Sequence, residues 1–393
     1  MNKFTVLLLF WVMPVWGEKN DFALSEKRFR QLSQVQEAFV KNDYDDALER
    51  LDSMIKKRNT TYEKAMILRL YADVFIAMDA YPQAISFLQL AWDQKALPEI
   101  SQLNIQYNLA QLYAQQENYT DSLRLLEGWL LKAQNVTSQV HIFVANMYVQ
   151  KKNYPKAIFH LREGIKKQSS PKQVWFQQLI ALYFEQQKFT EMVAVLKETI
   201  QSFPTEKKYW QQLAGIYQKL EKMSDALAIL AMAYQQGLLN TEKDVINLAN
   251  FYLYQELPFQ SAQVLTRGLE QGIIEANEKN WSRLVESWVV AKEFDFAIQS
   301  LYLARQKEIY DETLTLRLAR LLMEKEAWLE VIDVLDASLS TISFSKQSQA
   351  YYMMGISAYY ANRLNVAKKA FRLANKDKKM RKKLKYWRKV VRF

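Results

Sequence analysis

Cysteine is absent from the 393-residue chain, and histidine occurs only at His141 and His160. The absence of cysteine excludes disulfide bonds, thiolate nucleophiles and cysteine-ligated zinc. Two histidines without an H-E-x-x-H spacing do not make a zinc site, and we interpret both as helix-surface or packed residues of one repeat unit. The sequence therefore predicts no metal centre.

Glycine and proline are also scarce, with eight and seven residues respectively. No G-x-S-x-G, Walker or G-x-G-x-x-G motif occurs, and eight scattered glycines cannot form a phosphate-binding loop. Acidic pairs such as Asp45 and Asp46 lie at turn-to-helix boundaries, where a carboxylate stabilises the helix N-terminus. We expect no catalytic residues and no cofactor, so the chain is not predicted to be an enzyme.

A short apolar run extends from Phe4 to Trp16. It is shorter than the about 20 residues that span a bilayer, and it lies between Lys3 and Gly17. This pattern predicts a cleavable secretory signal at residues 1–17, with an uncleaved short anchor as the alternative. Four Asn-x-Ser/Thr sequons occur, which we interpret as chance. With this signal and no disulfides, we expect a bacterial periplasmic protein.

A ten-fold repeat occupies most of the chain. A small or apolar residue recurs every 34 to 38 residues, and an aromatic or large apolar residue precedes it by three places. The recurring small or apolar positions are Ala47, Ala84, Ser122, Ala157, Met192, Ala226, Ala262, Ala297, Val331 and Ala367. The preceding large positions are Tyr44, Tyr81, Tyr119, Tyr154, Phe189, Met223, Phe259, Phe294, Trp328 and Leu364.

Each repeat reads as a pair of helices. In the second copy, Leu68, Tyr71, Ala72 and Phe75 are spaced i, i+3, i+4, i+7, which is one stripe of an α-helix, and a second stripe starts at Ala84. Sustained two-residue alternation is absent, so no sheet is predicted. The pattern resembles the tetratricopeptide repeat over about residues 32 to 375. The resemblance implies an all-α, right-handed superhelical solenoid of about ten helix pairs with an extended concave binding surface.

The remaining segments flank this predicted array of helix pairs at residues 32–375. Residues 18–31 form an N-terminal lead-in, and residues 376–393 carry a net charge of +9, against +2 for residues 1–375. Met380, Leu384, Trp387 and Val391 form one helical stripe in this basic segment. We predict a C-terminal capping helix that packs this stripe on the last repeat. The alternative adds weak attraction to an anionic membrane surface or an acidic partner.

The resemblance also implies which residues line the binding groove. In tetratricopeptide repeats these are mainly first-helix residues one place after the large opening residue and one place after the small residue. Side-chain amides among them can both donate to and accept from a peptide backbone; the alternative is that each is simply a solvated residue. The candidates are Arg69, Asp73, Tyr107, Gln111, Asn146, Gln177, Gln211, Asn250, Glu286 and Arg320, with Ile142 and Ser282 in the same register.

A closer resemblance extends along the chain, in residues 24–27, 36–39, 107–113, 209–215, 233–239, 268–274 and 385–387. These segments are similar to exported tetratricopeptide proteins of marine gamma-proteobacteria that are associated with a TonB system. The resemblance implies an accessory role in energised outer-membrane uptake, with periplasmic segments of TonB, ExbB or ExbD as partners. The alternative is an activator or assembly factor for an envelope or peptidoglycan enzyme. A nucleic-acid partner is not expected.

Overall fold

The structure, a computed structural model, describes residues 22, 24–309 and 311–393. The described residues form helices, turns and loops, with no strand among them, as the repeat pattern predicts. Among the described helices we find no apolar segment of the length that a bilayer span requires. The predicted signal peptide at residues 1–17 lies outside the described residues.

Twenty helices alternate as the first and second members of ten pairs. The first helices are α1 (Glu26–Val40), α3 (Thr61–Ala77), α5 (Glu99–Gln115), α7 (Ser138–Gln150), α9 (Gln173–Glu185), α11 (Lys207–Lys219), α13 (Glu242–Tyr254), α15 (Glu278–Val290), α17 (Glu312–Glu324) and α19 (Phe344–Tyr360). The second helices are α2 (Tyr44–Ile55), α4 (Tyr81–Asp93), α6 (Tyr119–Leu130), α8 (Tyr154–Lys166), α10 (Phe189–Ser202), α12 (Met223–Gln235), α14 (Pro258–Glu270), α16 (Phe294–Gln306), α18 (Trp328–Ser338) and α20 (Leu364–Ala374).

The predicted repeat positions mark the start of every second helix. The large residue opens the helix in nine pairs, and in the seventh pair Phe259 is the second residue because Pro258 opens α14. Pro82 and Pro155 likewise lie in the first turn of their helices, where proline removes no intrahelical bond. The small or apolar residue three places on is buried in every pair, at 4% exposure for Met192 and 0% for the other nine. The predicted ten-fold repeat of helix pairs is confirmed.

The turn inside each pair contains a residue in the left-handed backbone conformation. Ten residues hold φ between 55° and 61°, and none of them is glycine. In nine of the ten turns a backbone bond from the next residue to a carbonyl five places earlier closes the turn, as from Lys222 to Tyr217 at 2.9 Å. Left-handed conformations cost a non-glycine residue about 1–2 kcal/mol. The ten residues are Asn42, Asp79, Glu117, Lys152, Gln187, Glu221, Glu256, Lys292, Glu326 and Asn362.

The chain divides into two compact units, Met1–Gln187 and Lys188–Phe393. In the first unit each helix from α1 to α9 packs on the next one along the chain. In the second unit the same holds from α10 to α20, and buried residues from Trp210 to Val391 form one continuous apolar cluster. Within each unit, therefore, the core is a linear succession of neighbour contacts, as in repeat proteins.

The basic C-terminal segment caps the second unit. It forms two short helices, α21 (Lys378–Lys383) and α22 (Lys385–Val391), where the sequence predicted one. The break lets α21 contact α19 while α22 contacts α20. Leu384, Trp387 and Val391 are buried, and Met380 is partly buried. The Trp387 ring stacks on Phe371 of α20, with ring centroids 5.3 Å apart.

A buried pair of histidines joins the two helices of the fourth pair. His141 on α7 and His160 on α8 are 8% and 9% exposed, and their Nδ1 atoms lie 3.1 Å apart. One ring donates an N–H hydrogen bond and the other accepts that bond, so at least the accepting ring is neutral. Burial and the neighbouring His141 lower the pKa of His160 to about 4, and burial also lowers the pKa of His141. Both histidines are packed residues.

Protonation of this pair is expected to destabilise the fold as the pH falls from about 6.5 to about 4. An unfolded histidine binds a proton near pH 6.5, whereas folded His160 stays neutral down to about pH 4. The unfolded state therefore binds more protons, and the free energy of unfolding should fall by about 1–2 kcal/mol between about pH 7 and pH 5. Urea denaturation of His160→Phe should lack this part of the pH dependence.

Asp73 titrates in the same pH range, and its effect on stability has the opposite sign. The pH dependence of the wild type must therefore be compared with that of His160→Phe. Burial, opposed by Arg69, raises the pKa of Asp73 to about 6, so its contribution to stability decreases as the pH rises. The difference between the wild type and His160→Phe removes the Asp73 contribution. Equal pH dependence in the two proteins would contradict the prediction.

Candidate functional site

In the first unit, two of the predicted groove residues pair with each other. Arg69 and Asp73 lie one turn apart on α3, with Nε and Oδ2 separated by 4.0 Å. Both side chains are largely buried, at 17% and 16% exposure. A ligand at this position would have to compete with an existing charge pair.

Tyr107 of the predicted groove is a packing residue in the structure. Its ring lies 5.1 Å from that of Trp129 on α6 and 6.1 Å from that of Phe143 on α7. Burial raises the pKa of Tyr107 to about 12. The ring therefore joins three successive helices, and only part of it is accessible to a partner.

Side-chain amides form the polar part of this surface in the first unit. Gln178 Nε2 on α9 donates to Asn146 Oδ1 on α7 at 3.4 Å. Gln111 Oε1 and Gln178 Oε1 are buried with no hydrogen-bond partner among the described residues. These two oxygens are unsatisfied polar atoms just beneath this surface. The predicted neighbour Gln177 is exposed. Sequence register missed Gln178 because it lies one place beyond the register position, which Gln177 occupies.

In the second unit, predicted residues from two successive first helices line one cavity of about 570 Å³. Asn250 comes from α13, and Ser282 and Glu286 come from α15. We call this space the Asn250 cavity. Its remaining lining residues are Leu253, Leu265, Glu278, Lys279, Arg283, Ser287 and Arg317.

The Asn250 cavity combines polar donors with a small net positive charge, because the basic residues Lys279, Arg283 and Arg317 outnumber the acidic Glu278 and Glu286. Glu286 is neutralised by an ion pair with Arg317 of α17. Lys279 and Arg283 form no ion pair with any described residue. The Asn250 amide can donate and accept. The cavity can therefore hold a carboxylate together with peptide groups, since guanidinium and ammonium groups bind carboxylates by charge-assisted hydrogen bonds.

Two further predicted residues of this unit lie outside the cavity lining. Gln211 Nε2 donates to Asp244 Oδ1 at 3.1 Å, and Lys207 Nζ lies 3.0 Å from the other oxygen of that carboxylate. Arg320 is exposed on α17, one turn beyond Arg317. Sequence reasoning missed Arg317, whose spacing of i−3 from Arg320 places it on the same side of the helix.

We find no cluster of metal-binding side chains in the part of the chain that the structure describes. No group of three or more His, Asp or Glu side chains there is placed to hold a metal ion. The histidine pair is buried and its facing nitrogens bind each other. The site that the geometry offers is a surface for binding, built from amides, hydroxyls and charged groups.

Comparison with known families finds two matches, each over part of the chain. Residues 32–96 match the family model of the tetratricopeptide repeat. Residues 105–252 match the model of the ChAPs, which are described as Chs5p-Arf1p-binding proteins. No curated protein matches the chain.

Several solved structures are similar to the chain. A tetratricopeptide repeat protein from Parabacteroides merdae is 14% identical with a TM-score of 0.37, covering 67% of this chain and 99% of its own. YrrB, described as a TPR protein with an unusual peptide-binding site, is 14% identical with a TM-score of 0.35, covering 47% and 91%. The structure of Naa15/Naa10 bound to HypK is 11% identical with a TM-score of 0.45, covering 90% and 64%.

Proposed function

We propose that this chain is a non-catalytic scaffold that binds other proteins, and that the Asn250 cavity holds an extended segment of a partner. The observation that carries the proposal is the convergence of Asn250, Ser282 and Glu286 on one cavity. These positions follow from the repeat register alone, and they come from two successive first helices. Stacked repeats present such positions side by side, which suits a chain lying across them.

The chemistry of the cavity favours an acidic segment. Lys279 and Arg283 supply positive charge, which Glu278 offsets in part, while the Asn250 amide and the Ser282 hydroxyl can bind backbone groups. Leu253 and Leu265 supply apolar area for the partner's side chains. The ChAPs model that matches residues 105–252 is named for binding Arf1p, and this chain would share with that family the binding of another protein.

The compartment and the partner are part of the same proposal. The apolar run at Phe4–Trp16 and the absence of cysteine support export to a bacterial periplasm. The resemblance of the chain to exported TonB-associated repeat proteins supports a periplasmic segment of TonB, ExbB or ExbD as the partner. The protein would then be an accessory component of energised outer-membrane uptake.

Paired substitution in the Asn250 cavity should weaken peptide binding without unfolding the chain. Peptides selected from a displayed random library on the full-length protein are expected to be acidic. Each neutral hydrogen bond contributes about 0.5–1.5 kcal/mol and each one to a charged group about 1.5–3 kcal/mol. Asn250→Ala combined with Arg283→Gln should therefore lower affinity by about tenfold or more, measured by fluorescence anisotropy.

Asn247→Ala combined with Lys243→Gln is the matched control. Both residues are exposed on α13, neither lines the cavity, and the change in net charge is the same. If the selected peptides bind the cavity variant as tightly as the control, the Asn250 cavity is not the binding site. Peptides covering the periplasmic segments of TonB, ExbB and ExbD test the partner separately, because their failure would leave binding of the selected peptides intact.

A further inference from the structure

Positive charge is concentrated at one end of the second unit. Residues 337–393 contain fifteen Lys or Arg and a single acidic residue, Asp377, which gives them a net charge of +14. The whole chain carries +11, so residues 1–336 carry −3. The basic region therefore begins well before the terminal segment and includes the last helix pair.

The structure brings most of this charge to the surface of α20, α21 and α22. Asp377 does not neutralise it by an ion pair, because its carboxylate accepts the backbone N–H of Lys379 and caps α21. We call the exposed basic residues of this end the cap surface. Among the described residues none of them has a carboxylate partner: Lys369, Arg372, Lys376, Lys378, Lys379, Arg381, Lys382, Lys383, Lys385, Arg388, Lys389 and Arg392.

The cap surface is held in place by apolar contacts. Leu384 is fully buried, and the Trp387 ring packs on Phe371. Exposed apolar groups lie beside this anchor: Tyr386 is 65% exposed with its ring 5.3 Å from that of Trp387, and Tyr360 is 56% exposed. Tyrosine and lysine side chains thus lie together on one surface, and the buried anchor residues hold the helices of that surface in place.

We infer that the cap surface docks the protein on an anionic lipid bilayer. Lysine supplies eight of its twelve basic groups, and ammonium groups act as point charges that need no fixed acceptor geometry. A mobile layer of anionic lipid headgroups, which offers no fixed acceptor positions, can therefore bind them. Tyrosine side chains beside the lysines match the composition of segments that lie at a membrane–water interface. Each lysine near such a surface contributes about fivefold in affinity.

Vesicle binding of the full-length protein tests this inference. We expect sedimentation with phosphatidylcholine vesicles that contain about one third phosphatidylglycerol, and none with phosphatidylcholine alone. Binding should be lost between about 0.1 M and 1 M salt, as the Debye length falls from about 10 Å to about 3 Å. Lys382→Gln, Lys383→Gln and Lys385→Gln together should weaken binding by about a hundredfold.

A second substitution tests the interfacial contribution. Tyr386→Ser should reduce vesicle binding severalfold without changing its salt dependence, because the change removes apolar contact and no charge. The residue is largely exposed, so the variant should unfold at the same urea concentration as the wild type. Unchanged binding by this variant would show that the surface makes no apolar contact with the bilayer and would overturn that part of the inference.

The matched control removes the same charge from the first unit. Lys56, Lys57 and Lys64 are exposed there, and their replacement by glutamine should leave vesicle binding unchanged. Equal loss in both triple variants, or equal binding to the two kinds of vesicle, would overturn the inference. Binding of polyglutamate or duplex DNA without binding of vesicles would do the same. The variant of the Asn250 cavity should still bind vesicles, so the two proposals fail independently.

Discussion

Replacement of Phe371 by alanine is expected to lower the free energy of unfolding by about 3–5 kcal/mol and to release the C-terminal cap. Phe371 on α20 is fully buried, and its ring stacks on Trp387 at 5.3 Å and on Phe393 at 5.2 Å. Gly355 on α19 leaves room for this ring, since a Cβ there would lie 2.5 Å from it. Truncation would remove the surface on which both terminal aromatic residues pack.

Urea denaturation measures the loss of stability, and limited trypsin digestion measures release of the cap. The many lysine and arginine residues of residues 376–393 should be cut faster in Phe371→Ala than in the wild type. Phe344→Ala is the matched control, because Phe344 on α19 is 86% exposed and its truncation should change stability by less than about 0.5 kcal/mol. Equal stability of the two variants would show that the Phe371 ring does not hold the cap.

Replacement of Tyr217 by alanine should also cost about 3–5 kcal/mol, because it is a large-to-small change in the core. Tyr217 on α11 is 7% exposed, and Lys197 Nζ lies 5.8 Å from its ring. Since each helix packs on its neighbours, the loss should spread to the adjacent repeats. Hydrogen exchange should therefore quicken in α11 to α13 more than in α19 and α20.

Tyr254→Ala is the control for this second change, because Tyr254 is 70% exposed at the end of α13. It should leave both the urea midpoint and the exchange pattern close to those of the wild type. Uniform acceleration of exchange across the whole second unit would contradict the local coupling expected of a repeat array and would indicate a single cooperative core.

The positions of the helix pairs could be predicted because their cause is local and recurs ten times. A small residue such as Ala47 must follow the turn by a fixed number of places so that two helices can approach, and Tyr44 must open the second helix. One such pattern carries little information, but ten in register leave few alternatives. The burial of all ten small or apolar positions follows from the same contact.

The turn conformation could not be predicted from residue types. Asn42 and Asn362 are ordinary residues for a left-handed turn, but Glu221 and Glu256 are not. The turn is imposed by the packing of the two helices that it joins, and the closing backbone bonds hold it there. For most of these ten residues, tertiary contacts therefore override a local preference of about 1–2 kcal/mol.

The candidate site shows the same division. Three of the residues that repeat register selected, Asn250, Ser282 and Glu286, line one cavity in the structure, because register determines where along a helix a residue lies. It could not show that Tyr107 is packed between two other rings, or that Arg317 completes the cavity. Those outcomes depend on the sizes and charges of side chains in neighbouring repeats, which differ from one copy to the next.

The sequence by itself determined the helical class, the period of the pairs, the start of each second helix and the apolar stripe of the cap. The helical class, the helix starts and the stripe follow from the spacing of apolar residues within a few turns of helix, and the period follows from the recurrence of that spacing every 34 to 38 residues. Only the tertiary structure decided that His141 faces His160, that the chain divides after Gln187, and that the cap breaks into two helices. Each of these depends on contacts between residues distant in sequence, where shape and charge complementarity rather than periodicity select the arrangement.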